Sequence, residues 1–130
     1  MTDLNIVALY VGLNAILLAL LSMNVGRYRG AQNAVQPGEQ GEGALTRAIR
    51  AHGNYIEYAP AVLLILLVLA ALGKPPLYLH LYGGIFTAAR ALHAVGMTQE
   101  KHPNPFRVVG ALATMLLLLV GGVTCILAFV

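Results

Sequence analysis

The chain has 130 residues, 58% of them hydrophobic and 10% charged, with a net charge of +3 and a mean hydropathy of +0.75. A soluble domain carries about 25% charged residues, so the surplus apolar surface needs lipid as its solvent, and the small, scattered positive charge gives no basis for nucleic acid as a partner. The single cysteine, Cys125, excludes an intrachain disulfide and fits no metal or redox spacing.

The first predicted element is a membrane-spanning helix over 4–25. It supplies the roughly 20 apolar residues that a span needs, interrupted by Asn5, Asn14, Ser22 and Asn24. The start, Met1-Thr-Asp-Leu-Asn, lacks the basic region of a secretory signal, so this helix is expected to be retained. Residues 26–43 then read as a hydrophilic, mobile loop with five glycines, Pro37, Glu39 and Glu42.

The second helix, expected over 45–72, is unusual. Its uncharged part, 59–72, is too short to span alone, and it becomes long enough only if the helix starts near Ala44. The stretch Arg47-Ala-Ile-Arg-Ala-His-Gly-Asn-Tyr-Ile-Glu57 is therefore helical and partly immersed. Charged and amide groups at that depth are costly unless they are paired, solvated in a cavity or used. Pro60 lies inside this helix, where it frees a carbonyl and bends the axis. Pro75-Pro76 breaks the chain, and a third span over 77–97 carries Arg90 and His93. Pro103 and Pro105 end the next connection, leaving 106–130 as the fourth span. The chain thus reads as one all-α domain, an integral-membrane, up-down bundle of four helices.

The first and third connections share one face. That face holds Arg27, Arg29, Arg47, Arg50, Lys101 and Arg107, against Lys74 alone on the other. By the positive-inside rule the basic face is expected in the cytoplasm and both termini outside.

At about 100° per residue, Arg47, Arg50, Asn54 and Glu57 fall in one stripe about 80° wide, and His52 points the opposite way. Such a stripe is expected to face a cavity or another helix, and His52 a separate surface, which suggests a neighbouring subunit. Arg90, His93 and Arg107 are candidates to join it. Several guanidiniums against the one carboxylate of Glu57 make an anion the natural ligand, and arginine binds carboxylates bidentately. A zwitterionic peptide with two carboxylates and one ammonium fits this inventory. Two simpler readings stand beside it: basic residues near helix ends snorkel to lipid phosphates, and an Arg50–Glu57 contact or a His93 interhelical bond can serve packing alone.

Arg47, Arg50-Ala-His52, Asn54, Glu57-Tyr58 and Pro60, followed by Arg90 and Arg107, resemble the MAPEG family of membrane-associated proteins in eicosanoid and glutathione metabolism, in its short bacterial form. The resemblance covers the whole chain. It implies a homotrimer with glutathione as co-substrate, bound between subunits at the cytoplasmic edge of a bacterial inner membrane, and a lipophilic small molecule or lipid as second substrate. Arg50, Asn54, Glu57, Tyr58 and Arg90 match glutathione-binding positions, and His52 the position that reaches a neighbour's glutathione. Arg27 loosely matches an arginine at the end of the first helix. Arg107 matches the catalytic arginine beside the thiol. The implied activity is a glutathione transferase, or a peroxidase. The sequence departs from the pattern where relatives usually carry a tyrosine, here Met97, and at Val108, a position that can carry a hydroxyl in prostaglandin E synthase. A non-enzymatic lipid- or partner-binding protein is the alternative on the same scaffold.

Overall fold

The computed structural model describes residues 3–31, 43–101 and 103–129. These form four helices: α1 (Asp3–Ala31), α2 (Ala44–Ala71), α3 (Pro76–Thr98) and α4 (Pro105–Leu127). The order and fold class are those expected, with one difference at α1. The helix runs to Ala31 rather than ending at Val25, so Arg27 and Arg29 stand on a helix and not in a loop. Glycine within a helix costs about 1 kcal/mol relative to alanine, and α1 contains Gly26 and Gly30 here. Packing outweighs that cost. Val25, Leu45 and Ala48 bury together, with Tyr28 and Ile49 against them, and this small cluster holds the end of α1 to the start of α2. The remainder of the expected loop, residues 32–42, lies outside the described residues, as do Met1, Thr2, His102 and Val130.

Helices α2 and α3 form the central pair. Each contacts both α1 and α4, whereas α1 and α4 do not touch among the described residues. The α2–α3 connection is tight because the chain ends α2 with a left-handed glycine, Gly73 at φ 70°. Gly73 donates its N–H to the Ala70 carbonyl at 3.0 Å and Lys74 to the Leu69 carbonyl at 3.1 Å, which satisfies carbonyls that a helix end leaves open. Pro76 then opens α3, where its missing N–H costs nothing.

Three helices, α1, α2 and α4, are long and apolar enough to cross a membrane. Helix α3 was expected as a fourth span. It has 23 residues, about 34 Å at 1.5 Å per residue, but it holds no apolar stretch as long and unbroken as theirs. Its Arg90 and His93 and the ring of its Tyr82 are buried inside the bundle, so this polarity is internal, while Leu77, Leu81, Ile85 and Val95 leave the outer face apolar.

Lipid is as apolar as leucine, so membrane helices associate through close packing and polar contacts rather than through burial of apolar area. Helix α4 shows this. Its inner face is Gly110, Thr114, Leu117 and Gly121, while Leu112, Leu116, Leu119 and Val123 point outward. A Cβ at position 110 would stand 2.5 Å from the Ala89 carbonyl and 2.7 Å from the His93 Cβ. Gly110→Val should therefore destabilise the protein by about 1–3 kcal/mol through overpacking, read as thermal unfolding in detergent. Gly12→Ala, at a helical position with open space around it, should instead stabilise by about 0.5–1 kcal/mol.

Candidate functional site

The site grows from Arg90, which is 1% exposed. Its Nη2 donates to Asn54 Oδ1 of α2 at 2.7 Å. Longer contacts reach Thr114 Oγ1 of α4 at 3.5 Å and His93 Nδ1 at 3.4 Å. The guanidinium carbon lies 5.7 Å from the Tyr55 ring centre and 5.9 Å from that of Tyr58. Its Nε has no partner among the described residues. No carboxylate reaches it among them: the one ion pair they contain joins Arg47 and Glu100. Among the described residues a buried cation is thus held by neutral oxygens, an imidazole and two ring faces, with no carboxylate to compensate its charge.

The polar stripe of α2 does not act as a unit. Arg47 turns to the end of α3, where Nε donates to the Thr98 carbonyl at 3.1 Å and Nη2 approaches Glu100 at 3.3 Å. Asn54 faces inward to Arg90. Arg50 and Glu57 stand on the outer surface of the bundle, and Tyr58 is half-buried between these settings. His52 lies on the α1 side of α2, in a crevice of about 250 Å³ lined with Ser22, Val25, Arg29 and Ile49. Arg27 does not join it. That side chain bonds Asn24 Oδ1 at 3.0 Å and lies 4.8 Å over the Tyr28 ring, so Arg29 is the arginine that accompanies His52.

Arg107 is set by the cap of α4. Asn104, 4% exposed, accepts from the Phe106 N–H at 3.0 Å and the Arg107 N–H at 3.4 Å, and its own amide donates to the Gln99 side chain. Pro105 takes the first helical position. The Arg107 backbone packs on Gly96 of α3, where a Cβ would collide with it. Arg107 is half-buried, in the first turn of a helix beside the end of α3.

Sequence reasoning missed the residues that support the cluster. Asn14 was read only as an interruption of a span, yet it is 1% exposed and bonded to α2 and α3. A lone amide in an apolar helix has to find partners, and that signal could have marked it. Asn104 before Pro105 carries the ordinary start signature of a helix. Tyr55 and Thr114 carried no such signal, since a tyrosine and a threonine at helical spacing are compatible with plain packing.

A family model described as MAPEG family matches residues 7–127. The chain belongs to the MAPEG family. The inner membrane protein YecN of Escherichia coli K12 is 37% identical over 89 residues, which cover 68% of this chain and 67% of that protein. The protein of the same name from E. coli O6:H1, strain CFT073, matches to the same extent. No solved structure matches the chain. As a MAPEG protein with apolar helices of spanning length, it is an integral membrane protein.

Two substitutions should have opposite effects on stability. Asn54→Leu removes the one short bond to a buried cation and should cost about 2–3 kcal/mol. Arg90→Met removes the cation itself. Replacement of a buried charge by a well-packed apolar chain is neutral or stabilising by about 1–4 kcal/mol. Thermal unfolding of the purified protein in detergent checks both.

Proposed function

We propose that this protein is a membrane-bound glutathione transferase acting on lipophilic electrophiles, with lipid hydroperoxides as a second substrate class. The observation that carries the reading is Arg90, a buried guanidinium without a carboxylate among the described residues. A ligand that brings a carboxylate supplies the missing charge at low dielectric, where it counts most. Glutathione has two carboxylates and one ammonium. Arg90 and the exposed Arg50 suit the carboxylates, Glu57 the ammonium, and Asn54 and Tyr58 the peptide polar groups.

The site is best read as shared between subunits. On one protomer, Asn54, Tyr58 and Arg90 meet on one side of α2, while His52 and Arg29 share a crevice on the α1 side. A head-to-tail cyclic assembly sets one such surface against the other, and in a homotrimer each glutathione would lie between two copies. The exposed Arg50 and Glu57 are then covered by protein rather than lipid. The basic end of the bundle supports a cytoplasmic placement of this edge, with both termini on the far side. The name shared by the two relatives supports the bacterial inner membrane.

In this reading Arg107 is the catalytic residue. A free thiol ionises near about pH 8.5, and an adjacent guanidinium at a helix start favours the thiolate. The thiolate sulfur attacks the electrophilic carbon of a lipophile arriving through the bilayer, and the leaving group departs or the product takes up a proton.

A second reading, a lipid- or partner-binding protein without catalysis, is favoured by Met97. This residue is buried in the core, and a thioether cannot donate the hydrogen bond that a tyrosine would supply. Tyr82 does not substitute for it, because its hydroxyl donates to the Leu117 carbonyl at 2.9 Å.

The thiolate absorbance of glutathione mixed with the purified protein separates these readings. The wild type should show the signal, and Arg107→Ala should lose most of it while still binding glutathione by calorimetry. An equal signal in Arg107→Ala would remove the role given to that arginine. Thermal stabilisation by glutathione with no conjugation across an electrophile panel would favour the second reading.

A further inference from the structure

Among the described residues no hydrogen bond or ring contact to Arg90 comes from α1, yet one residue of that helix governs what Arg90 rests on. Tyr55 is 2% exposed, and its hydroxyl donates to α1, shared between the Asn14 carbonyl at 2.9 Å and Asn14 Oδ1 at 2.8 Å. The orientation of the Asn14 amide is determined by its partners. Nδ2 stands 2.8 Å from the Tyr10 carbonyl, which can only accept. Its second hydrogen goes to Thr87 Oγ1 at 2.8 Å, and the Thr87 hydroxyl is committed as a donor to the Gly83 carbonyl. With both donors and Oδ1 in use, Asn14 cannot turn without leaving a buried polar atom unmatched, at a depth where water does not replace it. Tyr55 is held by this lock, and its ring is one of the two faces beneath the Arg90 guanidinium. Among the described residues only one of the bonds to Arg90 is short, so those faces carry much of its orientation.

We propose that Asn14 is a positioning residue: by fixing the Tyr55 hydroxyl it sets the plane in which Arg90 meets an anionic ligand. The ligand part of this inference rests on the glutathione reading above. The geometric part does not.

The test is a pair of double-mutant cycles on the full-length protein in detergent. In the first, glutathione affinity is measured by calorimetry for wild type, Asn14→Leu, Tyr55→Phe and the double variant. Each single change should weaken binding about five-fold, the worth of one hydrogen bond. The double variant should weaken it no more than Tyr55→Phe alone, because the Asn14 side chain acts on Arg90 only through the Tyr55 hydroxyl, which that change removes. Multiplying effects, or lower thermal stability with unchanged affinity, would overturn the proposal and leave Asn14 a packing residue. In the second cycle, thermal unfolding without ligand is measured for Asn14→Leu, Arg90→Met and their combination. The loss from Asn14→Leu should shrink once Arg90 is gone, and strictly additive losses would overturn the proposal. If the wild type binds no glutathione, the functional reading falls and the second cycle alone decides. Should Asn14→Leu fail to fold, Thr87→Val, which removes an acceptor of the Asn14 amide, takes its place in both cycles.

Discussion

A guanidinium cannot be neutralised at ordinary pH, so a chain that buries one inside a lipid-embedded bundle must surround it with polar or polarisable groups. Arg90 imposes that requirement here. Its partners come from three helices: Asn54, Tyr55 and Tyr58 on α2, His93 on α3 and Thr114 on α4. The fourth helix enters through Asn14, which holds Tyr55. Apolar area gives membrane helices little reason to choose one rotation over another. A single buried cation with directional partners does give such a reason, and all four helices are tied, directly or through one intermediary, to the same charge.

The two ends of the bundle are built for different purposes. At the end where α2 and α3 connect, the Gly73 turn, the Tyr10–His80 bond at 3.0 Å and the Tyr78–Thr124 contact at 3.3 Å tie the four helices, with no ion pair among the described residues there. The basic end is the reverse. Arg47 holds the end of α3 through Thr98 and Glu100, Asn104 orders the first turn of α4 beneath Arg107, and Arg50 and Glu57 stand exposed. Charged side chains are therefore concentrated at this end of the bundle. In the reading proposed above, an anionic ligand would stabilise the protein, because it would bring Arg90 a carboxylate that it does not meet among the described residues.

Small residues make this arrangement possible. Gly110 lets α4 approach the Ala89 carbonyl and His93, and Gly96 lets α3 approach the Arg107 backbone. Without that proximity Thr114 would not come within reach of Arg90, and Arg107 would stand away from the site. Lipid exposes the outer faces to the same apolar medium everywhere, so the close contacts are confined to the inner ones.

Composition and period were enough to determine the membrane setting, four helices and their order, because hydrocarbon thickness and the cost of charge act on each segment separately. The same logic identified the costly stretch of α2, and the order of its residues with Arg90 and Arg107 carried the family resemblance. Tertiary structure alone decided how that stretch is used. It gave Arg47 to α3, Asn54 to Arg90 and His52 to a crevice beside Arg29, and it extended α1 to Ala31 through the packing of Val25, Leu45 and Ala48. It also brought in Asn14, Tyr55 and Thr114, whose roles depend on partners 24 to 73 positions away. Helical geometry says which way a side chain points from its own axis. Which neighbour it meets there depends on how the helices are rotated against one another, and that is settled by close packing and by the need to surround Arg90.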